Sequence, residues 1–233
     1  MFSPNIALFA YDFPHWKSEN ILLDLLKKDL SVKAVIAAPK LDLLTNVEVE
    51  APPATRLKAL CEFHDVSYLR VSHDDLAGFQ QLIEETSCNL AIIAGARKIA
   101  PEVIRAFKYG IVNYHPGLLP ETAGLNAVER AILLDIPVSV TAHLINEKLD
   151  DGQRLFAIRV PVFPEDTMRD IKERCLRFQV YINESVISGY STGAIFPQAV
   201  GRKLYNKKLD GHQIAEVDAL FPAWRAKYCT FEE

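Results

Sequence analysis

Several things are scarce in this sequence of 233 residues. Its four cysteines, Cys61, Cys88, Cys175 and Cys229, never fall into a C-x-x-C spacing. That fits free thiols in a reducing cytoplasm better than a disulfide framework or a zinc site. Basic charge is not in excess: 26 Lys and Arg stand against 30 Asp and Glu, a formal net charge of −4. Such a balance argues against a chain built to hold nucleic acid, though a local basic patch is compatible with it. Long apolar runs are missing too. The first, "IALFAY", stops at Asp12, too short for a bilayer and without the cleavage site of a secretory signal. No membrane partner is expected, and the expected location is cytoplasmic. The six histidines are dispersed and none has a ligand spacing with Cys or Asp, so no metal is expected.

What is present is a core. Hydrophobic residues make up 49% of the chain, enough for one sizeable domain with a small appendage. Asn5–Tyr11 reads as a buried strand. Ser18 is the expected cap of a helix over "ENILLDLLKK", whose Ile21, Leu22, Leu25 and Leu26 share a face and whose lysines sit at the dipole-favoured end. Strands are expected at "VKAVIAA", "VSYLRVS" and "NLAIIAG", and helices at "RLKALCEFHD" and "DDLAGFQQLIEET". Apolar strands joined by helices imply an α/β protein with a Rossmann-like, mostly parallel twisted sheet and helices on both faces. Ligands in such sheets bind beyond the carboxyl ends of the strands.

A short helix "APEVIRAF", the strand "GIVNYHP" and a helix "LNAVERAILLD" follow. "VSVTAHLIN" and "RLFAIRVPVF", with only "EKLDDGQ" between them, predict an antiparallel hairpin. One helix is expected from Thr167 to Tyr190, started by Asp166. After it come edge strands, a turn at Asp210–Gly211 and a short helix. The expected division is a main domain over residues 1–200 and a strand/helix extension over 201–233.

Chemistry concentrates in "GIVNYHPGLLPETAGLN", Gly110–Asn126. Asn113 and His115 lie two apart on a strand and so share a face. Pro116 and Gly117 stop the strand there, which puts that face at the carboxyl edge. An amide donor beside an imidazole is a reasonable way to hold a developing oxyanion. Read alone, an N-x-H pair more often just satisfies loop backbone groups. Downstream, Glu147–Gln153 contains two adjacent carboxylates. It reads either as an ordinary hairpin turn, for which Asp-Gly is a common signal, or as a loop bringing Asp150 to His115 to set the imidazole's tautomer and charge.

Taken in order, "NYHPGLLP", "GLNAVERAI" and "VTAHLINEKLDDG" resemble the formyltransferase family that takes a formyl group from N10-formyltetrahydrofolate. That family's pattern is an N-x-H-P-x-L-L-P segment, a glycine before a helix, a T-x-H on the following strand and a D-x-G loop. The likeness runs over roughly residues 5 to 200. It implies the formyltransferase version of the α/β fold, with N10-formyltetrahydrofolate as donor and no metal. It also implies Asn113, His115 and Asp150 as the catalytic set. An amine would attack the formyl carbon while Asn113 and His115 steady the oxyanion. Asp150 would orient the imidazole, favour its protonated form and help move the amine's proton. For the folate the resemblance implies Arg97, Lys98, Ile99 and Ala100 of "GARKIAP", whose backbone would hold the pterin ring, with Thr141 and His143 of the T-x-H. The sequence departs from the family at Gly117, where many members have serine, and in "GARKIAP", one residue shorter than in purine-pathway members.

Branches of the family differ in the amine they formylate. Those acting on glycinamide ribonucleotide carry a glycine–serine-rich loop after the first strand, suited to a phosphate. This sequence has "YDFPHWKSEN" there, without glycine. Those acting on initiator methionyl-tRNA add a β-barrel and a basic surface, whereas about thirty residues follow Gly201 here and the balance is acidic. The formate-releasing hydrolases carry an additional N-terminal domain, whereas this sequence starts on its first strand. What remains resembles the N-formyltransferases of nucleotide-linked amino sugars in surface-polysaccharide biosynthesis, and that resemblance implies this activity. The alternatives are a different amine (an amino acid, a carrier-bound residue or a glycinamide ribonucleotide-like acceptor) and a folate-binding homologue without catalysis. Acceptor contacts are expected at Gly124, Trp16, Lys17 and Tyr205. His15 and Trp16 read equally well as loop residues packing on the domain. The stretch with Arg202, Lys203, Tyr205, Lys207 and Lys208 reads more readily as a solvated edge than as a diphosphate site. The amino-sugar branch that the sequence resembles often dimerises through C-terminal elements, which makes a homodimer one possible assembly here, with Phe221, Pro222 and Trp224 either at its interface or covering the core.

Overall fold

Ile6, Ala7, Leu8, Phe9 and Ala10 are all fully buried, so the first strand has no face for water and must be covered on both sides. The computed structural model describes residues 1–42, 48–73, 75–96, 99–147, 152–201 and 205–230. In chain order the elements begin with β1 (Ile6–Tyr11), α1 (Trp16–Lys27), β2 (Val32–Ala38), α2 (Thr55–Phe63), β3 (Ser67–Arg70) and α3 (Leu76–Thr86). Next come β4 (Leu90–Ile93), α4 (Pro101–Ala106), β5 (Ile111–His115), α5 (Ala127–Leu133), β6 (Ser139–Ile145) and β7 (Gly152–Arg159). The last are α6 (Met168–Tyr181), α7 (Asn183–Thr192), β8 (Gln198–Ala199) and α8 (Gly211–Tyr228).

Two compact units divide the chain. The first is Met1–Asn113 with Asn183–Ala194, and the second is Tyr114–Ile182 with Ile195–Glu233. In the first, the strands run in the order β3-β2-β1-β4-β5 and every pair is parallel. The order reverses between β1 and β4, and the carboxyl ends there form the crevice where sheets of this class receive ligands. Helix α7 completes this unit from far downstream. Phe2 N–H donates to Ser191 O at 2.9 Å, and the Tyr190 hydroxyl donates to Tyr109 O at 3.1 Å. In the second unit β6 and β7 form the expected antiparallel hairpin, with an irregularity between Ala142 and His143. β8 adds a short antiparallel edge. α8 packs on α5, and Trp224 is buried with its indole N–H donating to Ile136 O at 3.0 Å. Of its two expected roles, Trp224 therefore takes the core one.

Four local features differ from the sequence expectation. Helix α1 starts before Ser18: His15 is the cap, its Nδ1 accepting Ser18 N–H at 3.3 Å and lying 2.7 Å from Ser18 Oγ. The helix expected over Thr167–Tyr190 is two, α6 and α7, broken at Ile182. Its cap is Thr167, in a reciprocal pair with Asp170. Asp166 is occupied elsewhere, accepting Phe163 N–H at 2.8 Å and a two-pronged bond from Arg174 at 2.6 and 2.7 Å. Burial pushes the Asp166 carboxyl up, but those donors more than offset it and hold it below the usual range. Finally, the Asp210–Gly211 pair opens an 18-residue helix, α8, with Asp210 as its cap. An Asp-Gly step serves a turn and a helix start equally well, and Gln213, which bonds back to Asp210 N–H, selects the helix.

All four cysteines are free thiols, and Cys61, Cys88 and Cys175 are buried. Burial pushes Cys61, beside the Glu62 charge, and Cys175 up to about 12. Among the described residues, no helix is long and apolar enough to cross a membrane.

Candidate active site

Buried Ile111, Val112 and Tyr114 fix β5 in the sheet, and the alternation of the strand then gives Asn113 and His115 a common face at its carboxyl end. His115 is 4% exposed, with Nε2 2.9 Å from Thr122 O. A carbonyl only accepts, so Nε2 carries a hydrogen, and Nδ1 is the ring nitrogen left to change its proton.

The turn after His115 is built around that contact. A Cβ at Gly117 would lie 2.1 Å from Thr122 Oγ1, 2.8 Å from Ala127 Cβ and 3.0 Å from His115 Nε2. The Thr122 side chain already fills the volume that a side chain at Gly117 would need, its hydroxyl donating to Leu118 O at 3.0 Å. Thr141, fully buried on β6, braces the same turn: Oγ1 donates to Gly117 O at 2.7 Å and accepts Leu119 N–H at 3.2 Å. The Leu119–Pro120 peptide in this turn is cis. His143, also fully buried, follows the β6 irregularity.

Asp150, Arg97 and Lys98, three of the expected site residues, lie outside the described residues. Of the D-x-G loop, Gly152 is described. Its φ is +120°, and a Cβ there would sit 2.1 Å from Leu144 O, so no other residue fits. Of the expected folate loop, Ile99 is buried and Ala100 has extended backbone (φ −64°, ψ 143°) leading into α4 through Pro101.

Expected acceptor residues fall in two places. Trp16 and Lys17 open α1, Trp16 being 43% exposed. Burial pushes the Lys17 ammonium down to about 8. Burial, with the Lys17 charge, also lowers His15, which suits a neutral ring accepting bonds at Nδ1. Around them the Tyr11 ring stacks on Phe13 at 4.8 Å and meets His15 edge-on at 5.0 Å. A Cβ on Gly95 would lie 2.7 Å from the Tyr11 ring. The carboxyl end of β1 is thus packed with rings, and the N-terminus of α1 is closed by its own imidazole. Beside it a cleft of about 470 Å³ is lined by Asp12, Lys40, Glu48, Val49, Pro53 and Arg70 among others. Burial raises the Asp12 carboxyl, but bonds from Tyr68 (2.6 Å), Arg70 (2.5 Å) and Lys58 (3.2 Å) bring it below its ordinary value.

In the second unit, Gly124 has φ +98°, and a Cβ there would lie 2.2 Å from Asn206 O. Its close neighbour is thus the returning tail of the chain. Tyr205, just before, is 41% exposed, and Arg202 and Lys203 lie outside the described residues. A hollow of about 340 Å³ opens beside Pro116, lined also by Asn126, Glu129, Lys172 and Gln179. Glu129 holds Lys172 Nζ at 2.6 Å and Asn126 Nδ2 at 3.1 Å. Sequence reasoning missed Thr122, Asn126 and Asn206. The one signal for Thr122 was the missing side chain at Gly117.

A family model described as formyl transferase matches residues 5–187. A phosphoribosylglycinamide formyltransferase from Haemophilus influenzae is 34% identical over 124 residues, which cover 52% of this chain and 58% of that protein. A methionyl-tRNA formyltransferase from Acidiphilium cryptum is 34% identical over 130 residues, 55% of this chain and 42% of that protein. The matched stretches thus span about half the length of these curated relatives. The fold is also that of a sugar N-formyltransferase from a Shewanella species, with a TM-score of 0.62 at 18% identity, covering 86% of this chain and 76% of that one.

Proposed function

We propose that this chain, which belongs to the formyl transferase family, is an N-formyltransferase that moves a formyl group from N10-formyltetrahydrofolate to the amine of a small acceptor. The observation that carries this is the end of β5, where Asn113 and a buried imidazole of fixed Nε2–H orientation share one strand face. The bound donor supplies an electrophilic formyl carbon. Asn113 Nδ2 donates to the formyl oxygen as negative charge develops there, and the His115 ring adds its own positive potential. Nδ1 is the ring atom through which His115 changes charge, since Nε2–H is committed to Thr122 O. Asp150 acts on the imidazole and on the proton released by the attacking amine. The extended backbone and small side chain at Ala100 fit a pterin held through main-chain atoms. Retained full activity in any two of Asn113→Ala, His115→Ala and Asp150→Ala would sink these roles.

For the acceptor we favour a nucleotide-linked amino sugar, as used in surface-polysaccharide biosynthesis. The support is the N-terminus of α1, where His15 takes the Ser18 N–H that a phosphate cradle would offer, while the Tyr11 and Phe13 rings offer apolar surface. The second reading is a glycinamide ribonucleotide-like acceptor, favoured by the 34% identity to the Haemophilus relative. Mass spectrometry after incubation with N10-formyltetrahydrofolate and a panel of nucleotide-linked amino sugars plus glycinamide ribonucleotide separates them. A formyl mass gain on one sugar nucleotide supports the first reading, and a gain on the ribonucleotide alone replaces it. Donor consumed with nothing modified points to hydrolysis or an acceptor outside both classes.

A further inference from the structure

We infer that Asn206, in the C-terminal tail, is a positioning residue for His115; this rests on the reading of His115 as a catalytic group. The backbone N–H of Asn206 donates to Ala123 O at 3.0 Å. Its side-chain Nδ2 donates to the same oxygen at 2.8 Å. In return, Leu125 N–H donates to Asn206 O at 2.9 Å. The two backbones run so close that Gly124 between them has no room for a side chain. Neighbouring bonds fasten the same strap: Leu209 N–H to Asn126 Oδ1 at 3.1 Å, and Arg130 to Lys207 O at 2.7 Å and to Leu125 O at 3.2 Å.

What this strap fixes is a peptide plane. The Thr122 carbonyl that receives His115 Nε2–H lies in the rigid Thr122–Ala123 peptide. On one side that plane is set by Thr122, whose backbone N–H donates to Leu118 O at 2.8 Å and whose hydroxyl does so at 3.0 Å. On the other side it is set by Ala123, whose own carbonyl is held by both donors of Asn206. Asn206 thus directs the oxygen that orients the imidazole, without touching the ring.

The test uses the full chain, uniformly labelled with nitrogen-15. Long-range proton–nitrogen correlation spectra read the His115 tautomer, with the His115→Gln spectrum as the assignment. Asn206→Ala deletes only the side-chain amide and leaves the backbone pair, and Asn206→Gly loosens the backbone as well, so a graded series results. The expected outcome is a single Nε2–H form in the parent protein and a growing share of the other tautomer in Ala and then Gly. Alongside it, kcat for formyl transfer should fall roughly tenfold with the donor KM unchanged, as befits a reacting group displaced by a fraction of an ångström. An unchanged His115 tautomer in both variants overturns the inference, even if melting temperature or kcat falls. If the parent chain transfers no formyl group but the tautomer still shifts, the reaction reading fails and the positioning by Asn206 stands.

Discussion

Gly117→Ala is a small perturbation with a large expected effect. A methyl group at that position would sit 2.1 Å from Thr122 Oγ1 and 2.8 Å from Ala127 Cβ, well over an ångström inside normal contact with the first. Thr122 cannot easily yield, because it is fully buried and its hydroxyl is bonded to Leu118 O. Overpacking of this kind costs about 1–3 kcal/mol, and two close contacts favour the upper half, about 2–3 kcal/mol. For a chain of this length that corresponds to a melting temperature lower by roughly 5–10 °C. Thr122→Ala alone should cost about 1 kcal/mol for the lost hydrogen bond. In the double variant the closer clash is gone, so the combined loss should fall short of the sum by at least ~1 kcal/mol. Thermal and urea unfolding of the four proteins of this cycle measure the coupling. Strict additivity, or a Gly117→Ala protein melting within about 1 °C of the parent, would refute the volume argument. Since the same methyl group would lie 3.0 Å from His115 Nε2, formyl transfer should suffer beyond the stability loss.

Thr141→Val keeps the shape but strands Gly117 O and Leu119 N–H, both bonded to that hydroxyl; urea unfolding should show a loss of about 3 kcal/mol, and a loss under ~0.5 kcal/mol would contradict the brace. Asn113→Ala should lower kcat by on the order of 10²-fold, the usual effect of removing one oxyanion donor; stopped assays at saturating donor would show it, and a loss under threefold would remove Asn113 from that role. His15 has its folded value below the ordinary 6.5, through burial and then the Lys17 charge. A depressed folded value means that its stabilisation is complete above about pH 6.5 and is lost as the pH falls through the folded value. Asn at this position caps the helix without titrating, so His15→Asn should flatten the fall in melting temperature between pH 7.5 and 5.5. Parallel curves would show that the cap does not titrate.

The parallel part of the fold was legible because runs such as Ile6–Ala10 are apolar without interruption and admit one placement, inside a covered sheet. The end of β5 was legible for the opposite reason: polar Asn113 and His115 interrupt such a run just before Pro116. His15 was not legible as a helix cap, since an imidazole accepts there only when burial keeps it neutral. The break at Ile182 was hidden because apolar spacing continues across it into α7. Asp166 carried the composition of a cap, and only the approach of Arg174 and Phe163 N–H reveals why Thr167 takes that place. Thr122 acts through its own backbone oxygen and Asn206 through its side-chain and backbone donors to the Ala123 oxygen, and a backbone acceptor leaves no pattern in the sequence to read.

The return of α7 to the first unit has a consequence for how the protein is made. The strands of that unit have left the ribosome once Asn113 emerges, yet the helix that packs on α1 and bonds to Phe2 lies at Asn183–Thr192. Residues 114–182 separate the two stretches, and α7 ends 79 residues after Asn113, so at about 5–20 residues per second the nascent chain waits roughly 4–16 s with the apolar flank of α1 uncovered. Cutting the gene at codon 113 would make that wait permanent, so the first unit is expected to be a poor folder when expressed on its own and to recover when a peptide spanning α7 is supplied in trans.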